Sequence, residues 1–163
     1  MIRELEMSIL EILYADARTT HEQIAKMTGR DVAEIDAAIA GLEQKRIILK
    51  YPALINWDAV DDDQVEALIE VKVTPQRDAG FDALAEKIYR FEEVSSVYLM
   101  SGAYDLMVMT KARSMKELAF FVAEKLSTIE HVLSTATHFI LKKYKSDGVI
   151  FEENRPDDRL VVS

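Results

Sequence analysis

The chain has 163 residues, of which 49% are hydrophobic and 30% charged, with no cysteine and a formal net charge of −9. This length allows one ordinary domain or two small ones, and the composition suits a globular protein rather than a disordered one. Disulfide frameworks and thiolate metal sites are excluded, and the negative sum disfavours general attraction to a polyanion, so any nucleic-acid contact must come from local basic groups. The lack of cysteine fits a reducing compartment, and a cytoplasmic location is expected. The start, MIRELEMSILEIL, is amphipathic and acidic, without the basic flank of a signal peptide. No stretch approaches the ~20 apolar residues of a membrane span, and no membrane partner is expected.

Ile2, Leu5, Ile9, Ile12 and Leu13 recur at helical spacing and predict a first helix ending near Asp16-Ala17. Thr20 stands three residues before Gln23, a capping-box spacing that starts a short second helix carrying Ile24 and Ala25. Gly29 supplies a turn, and Asp31 is placed to cap a third helix with Val32, Ile35, Ile39 and Leu42 on one stripe. Three short helices with a tight turn between the second and third form the layout of a DNA-binding helix-turn-helix. A three-helix bundle without a DNA role has the same periodicity. The run Ile47–Ile55 is rich in strand formers but holds Pro52, which confines it to an edge strand or wing. Domain boundaries are expected at 1–55 for this unit and 56–63 for a linker containing the solvated triplet Asp61-Asp62-Asp63.

Val65, Ala67, Ile69, Val71 and Val73 alternate with polar residues, the pattern of a one-sided strand. Phe81, Leu84, Ala85 and Ile88 make a helical stripe, and a hairpin over Val94–Thr110 supplies two further strands. Met115, Leu118, Ala119, Val122 and Leu126 predict another helix, and Val132–Tyr144 a long last strand. The order β-α-β-β-α-β is the ferredoxin-like split arrangement. Phe91-Glu92-Glu93-Val94 and Ile129-Glu130-His131-Val132 join helix to strand alike, a trace of internal duplication. The sheet buries only the face beneath its helices. An apolar second face, carrying Leu68 and parts of the methionine-rich hairpin, calls for a second copy, so at least a homodimer is expected. This domain spans 64–145, and a tail, 146–163, follows.

Over residues 2–145 the chain resembles the Lrp/AsnC (leucine-responsive/asparagine) regulators. The likeness rests on Asp16-Ala17-Arg18, Ile24-Ala25, Leu42-Glu43, Ile47-Ile48-Leu49-Lys50-Tyr51, Gly102-Ala103-Tyr104-Asp105, Thr135-Ala136-Thr137 and Leu141-Lys142, in that order. The resemblance implies an α+β fold, a winged helix-turn-helix followed by a ferredoxin-like βαββαβ effector domain. It also implies dimers that often assemble into octamers, and DNA binding controlled by a small effector, typically an amino acid. The implied effector site comprises Gly102, Ala103, Tyr104, Asp105, Thr135 and Thr137: turn amides for a carboxylate, Asp105 for an ammonium, hydroxyls to complete the bonds. Each residue also has a plainer reading. Gly102 can serve a positive φ, Tyr104 the core, Asp105 the local amides, and the threonines an ordinary strand.

The third helix departs from the family pattern. Ala37, Ala38, Ala40 and Gly41 stand where Arg or Lys is common, and Asp31, Glu34, Asp36 and Glu43 surround them. The remaining DNA-contact candidates are Arg18, His21, Lys26, Arg30, Lys45, Arg46 and Lys50, which implies weak binding per half-site, strengthened by avidity. Arg46 replaces the glycine usual just past this helix, so a different exit geometry is expected. Two alternatives stand beside the DNA-binding regulator. One is an oligomeric ligand sensor whose acidic helix-turn-helix contacts protein. The other is an enzyme like the tetrapyrrole decarboxylases of the same layout. His21, His131 and His138 are scattered, and no metal-ligand spacing, nucleophile elbow or phosphate loop is visible, so no catalytic residue, metal or cofactor is expected.

Overall fold

The computed structural model describes residues 3–60, 64–74 and 80–151. The chain divides into two compact units, 1–55 and 56–163. The N-terminal unit holds α1 (Glu4–Ala15), α2 (His21–Thr28) and α3 (Val32–Gln44). None is long enough to be stable alone, so packing must hold them. Ile9, Ile24, Ile35 and Leu42 are fully buried and form its centre with Ala25, Ala38 and Ile39. Each of the four large side chains contributes about 2 kcal/mol by leaving water.

The local signals around α2 operate as the sequence predicts. The Thr20 Oγ1 accepts from the Gln23 N–H at 3.3 Å, and Gln23 Oε1 accepts from the Thr20 N–H at 2.8 Å. Gly29 ends the helix in the left-handed region at φ 66°. Asp31 occupies the first-cap position of α3, but its side chain makes no capping bond; its carbonyl accepts from Glu34 and Ile35 instead. Val32 is exposed and Ala38 is buried, so the inward stripe of α3 is Ile35, Ala38, Ile39 and Leu42. Ile2 and the triplet Asp61-Asp62-Asp63 lie outside the described residues.

Past α3, the N–H groups of Arg46 and Ile47 bond back to the carbonyls of Glu43 and Leu42, each at 2.9 Å. This is a Schellman ending, and it places Arg46 at φ 55° where glycine is favoured. The exit geometry is therefore the glycine one, carried by an arginine. The strand expected over Ile47–Ile55 is not formed. The N–H groups of Ile47 and Ile48 both go to the Leu42 carbonyl, Pro52 has none to offer, and no described segment pairs with the run.

The C-terminal unit opens with a 3-10 turn (Trp57–Ala59). Four antiparallel strands follow, β1 (Val65–Val73), β2 (Val94–Leu99), β3 (Leu106–Ala112) and β4 (Val132–Phe139), in the order β2-β3-β1-β4. Between them run α4 (Phe81–Tyr89) and α5 (Met115–Phe120), the latter continuing directly into a π-helical turn (Phe121–Leu126). This is the ferredoxin-like arrangement. Ala67, Ile69 and Val71 alternate inward and are fully buried, packed with Val108, Leu106, Ile88 and Leu118. The π turn corrects the expected face of α5. Phe121 and Leu126, five apart, both reach the core, whereas Met115 and Ala119 stay exposed.

The suspected duplication has a hydrogen-bond counterpart. Val94 N–H donates to Phe91, and Val132 N–H to Ile129, both at 3.1 Å. The last strand is shorter than expected, ending at Phe139 rather than Tyr144. A small hairpin follows, β5 (Lys145–Ser146) with β6 (Val149–Ile150). Its turn residues Asp147 and Gly148 have φ 46° and 80°, as a two-residue hairpin loop requires.

Candidate functional site

The loop between β2 and β3 starts at Met100, whose N–H donates to the Asp105 carbonyl at 2.8 Å. Gly102 and Ala103 are exposed at the tip, while Tyr104 and Asp105 are half-buried. Gly102 does not have a positive φ, and a Cβ there would meet nothing within 4 Å, so the steric reading of this glycine does not apply. Asp105 is the structural centre of the loop. Its N–H donates to Val71 O at 3.1 Å, and its Oδ2 accepts from the Val73 N–H at 2.8 Å. The carboxylate thus binds an amide of β1 rather than of its own turn. The Oδ1 atom has no protein partner among the described residues.

The β4 threonines sit across β1 from this loop. Thr135 pairs with Val71 and Thr137 with Ile69, so both share the helix-covered face of the sheet. Thr135 Oγ1 lies 3.2 Å from Ser127 Oγ at the end of the π turn. Asp105 and Thr135 therefore flank Val71 from opposite sides, and Thr137 lies two residues further along. Sequence reasoning missed the Val73 amide, since a backbone group leaves no residue signature.

The open face of the sheet has an apolar centre and a charged margin. Leu68, Met107, Met109 and Tyr98 lie on it, with Ala136 and His138 beside them on β4. Tyr98 is half exposed, and Leu68 and both methionines are partly so. Glu66 is held by Lys111 at 3.0 Å and Lys143 at 2.6 Å, and Glu70 by His138 at 3.3 Å. Burial works to raise the Glu66 pKa, but the two ammonium groups outweigh it and keep the carboxyl below its usual value.

All seven basic candidates of the N-terminal unit are exposed. Three of them are engaged by carboxylates. His21 Nδ1 contacts Asp36 Oδ1, Arg30 lies 3.8 Å from Glu34, and Lys45 Nζ lies 3.3 Å from Glu6. Arg18 uses its backbone N–H on Asp16 at 2.9 Å, and Lys26 and Lys50 extend from the second helix and the segment after α3. Ala38, expected on the outer surface of α3, is a core residue, so a cation there would not reach DNA. Beside α3 runs a groove lined by Leu13, His21, Asp36, Ala40, Glu43 and Tyr51 among others. Tyr51 donates to Glu43 at 2.8 Å; its partial burial, with the carboxylate beside it, pushes the phenol up to about 12. The three histidines stay on separate elements, and no group of metal-ligating side chains converges among the described residues. No helix of the described residues is long and apolar enough to cross a membrane.

A three-helix DNA-binding type of head followed by a ferredoxin-like unit defines a class, the two-part transcriptional regulators. Residues 66–150 match the Lrp/AsnC ligand binding domain. An uncharacterized HTH-type transcriptional regulator of Bacillus subtilis, YugG, is 53% identical over 99% of this chain and 98% of its own length. The HTH-type transcriptional regulator LrpA of Pyrococcus horikoshii is 33% identical over 89% of this chain and all of its own. Among solved structures, E. coli AsnC superposes with a TM-score of 0.69 at 25% identity, covering 90% of this chain and 96% of that one. A Neisseria meningitidis transcriptional regulator, solved with L-methionine, shares the fold with a TM-score of 0.71 at 22% identity, covering 90% of this chain and 94% of that one. The chain belongs to the Lrp/AsnC family. Its relatives are transcriptional regulators rather than enzymes, and so is this protein.

Proposed function

We propose that this regulator senses an amino acid between its C-terminal units and thereby controls how its helix-turn-helix heads meet DNA. The observation that carries the reading is the hairpin tip. It presents exposed main chain at Gly102 and Ala103 next to a half-buried carboxylate with an oxygen to spare. A zwitterion needs those two partners, turn amides for its carboxylate and an acid for its ammonium. Tyr104, Thr135 and Thr137 complete the proposed effector set. The L-methionine complex of the Neisseria regulator supports an amino acid as the ligand class. The apolar centre of the open sheet face supports a homodimer, and further assembly into an octamer would bring tips from different dimers together.

DNA is contacted through Arg18, His21, Lys26, Arg30, Lys45, Arg46 and Lys50. With three of the seven held by carboxylates, few phosphates are neutralised, so binding is weak per half-site and only shallowly dependent on salt. The cytoplasm is the proposed location. The acidic groove of Asp36 and Glu43 beside α3 supports a second reading, in which the head contacts a protein instead of DNA.

Thermal-shift screening against the amino acids tests the effector. A ligand bound only by the folded state raises the midpoint. Asp105→Asn keeps an acceptor for the Val73 amide and removes the charge, so the variant is expected to fold and lose the response. A variant that responds like the parent would remove Asp105 from the site.

A further inference from the structure

Within the C-terminal unit, a cavity of about 120 Å3 lies between the first two turns of α4 and the sheet end where β1 stops and β4 starts. One wall is a helical stripe: Ala83, Leu84 and Lys87 recur at three, four and seven residues from Gly80. The other wall is Val73 and Thr74 with the Glu130-His131 turn. Val73 and Leu84 are buried and make an apolar floor, while Lys87 and Glu130 bring opposite charges to the edge. Apolar cavities of about 150 Å3 hold a benzene-sized guest, so a branched alkyl group of four or five carbons, roughly, fits here.

The backbone on the strand side is shaped to keep this space. The pairing of β1 with β4 shifts register between Lys72 and Val73, a bulge that bends the strand end. His131 sits in the left-handed region at φ 77°, and its carbonyl accepts from the Thr74 N–H at 2.9 Å. A non-glycine residue in that region costs on the order of 1 kcal/mol, which the surrounding bonds must offset. Glu130 lies 3.6 Å from His131 Nε2, whereas Lys87 has no ion-pair partner among the described residues. A buried apolar floor beside an ammonium that has no ion-pair partner among the described residues is complementary to a molecule with an alkyl end and an anionic end.

We propose that this cavity binds a small branched aliphatic carboxylate within a single subunit, its alkyl group against Val73 and Leu84 and its carboxylate on Lys87 Nζ. The site differs from the interface site in needing no second copy. It is tied to the hairpin tip through Val73, whose side chain lines the cavity and whose N–H is held by Asp105 at 2.8 Å. A ligand that fixes Val73 therefore fixes the carboxylate at the tip.

Two chemical sources share these features, a simple carboxylic acid and an amino acid. Methyl-labelled full-length protein would be titrated with isovalerate, L-valine and isoamylamine, following the Val73 and Leu84 methyl signals. Saturable shifts with isovalerate, with or without L-valine, and none with isoamylamine are expected; binding of L-valine but not isovalerate would assign the site to the zwitterion, with Glu130 as its second partner. Ala83 is exposed beside the space, so Ala83→Phe fills it without entering the core and is expected to abolish the shifts while the melting temperature holds. Lys87→Met is expected to weaken binding by roughly threefold to tenfold. Asp105→Asn separates the two sites, since it should silence the interface effector and leave isovalerate binding in place. Absence of saturable shifts with both acids, equal binding of isoamylamine, or unchanged binding by both cavity variants would overturn the proposal.

Discussion

Glu6 shows how much one side chain can be asked to do. Only 3% of it is exposed, yet it is a carboxylate, accepting from the Arg3 N–H at 2.8 Å and from Lys45 Nζ at 3.3 Å. The Arg3 amide holds its pKa below 4.5 against the effect of burial, with Lys45 adding to the same side. A carboxyl whose folded pKa is depressed stabilises the fold above its unfolded value, and that contribution is lost as pH falls through the folded one. The melting temperature of Glu6→Gln should therefore fall below the parent at pH 7, and the gap should close below about pH 4.5. A gap that does not narrow as the solution is acidified below that point would assign Glu6 a packing role instead. Glycines separate just as cleanly. Gly29→Ala, at φ 66°, should cost about 1 kcal/mol, while Gly102→Ala, with no positive φ and open space around it, should stay within about 0.5 kcal/mol in denaturant titrations. Arg46 carries the complementary lesson. Its identity suggests an altered exit from α3, but the bonds to Glu43 and Leu42 impose the left-handed backbone whichever residue sits there.

At the level of elements, legibility follows how local the cause is. The capping box at Thr20-Gln23, the alternation of β1 and the inward pair Leu84 and Ile88 of α4 each arise within a few residues, and the structure has all three, although Phe81, expected on the same stripe, stays exposed at the start of the helix. The run Ile47–Ile55 fails as a strand because strand preference describes fit to a sheet, and no described neighbour offers one. The π turn at Phe121–Leu126 is illegible for another reason. Apolar residues at 118, 121, 122 and 126 fit an α-helix nearly as well, and only the packed core decides between them. The hairpin at Asp147-Gly148 falls in a stretch that reads as a polar tail, although that dipeptide between two short pairs is a strong turn signal. At the candidate site, the residue types were readable and their partners were not. Nothing in the sequence says that Asp105 binds Val73 or that Thr135 meets Ser127.

For the whole molecule, regulation depends on what covers the open sheet face and on what the heads do. Leu68 lies on that face with Met109 opposite it on β3 and Met107 two residues along, opposite Glu70. Leu68→Glu should shift the sedimentation coefficient from an oligomer to a single subunit, with the secondary structure kept; an unchanged coefficient would place the interface elsewhere. The two units meet different demands, since the heads must tolerate a polyanion despite a net charge of −9. Carboxylates on three of the seven basic candidates make weak, assembly-dependent binding the physical expectation. The most direct test is a low-salt titration of DNA from upstream of the chain's own gene, with and without the amino acid that raises its melting temperature. The expected result is a complex whose midpoint moves with the amino acid in the parent and stays fixed in Asp105→Asn. No complex at low salt, or a midpoint indifferent to a ligand that demonstrably binds, would contradict it.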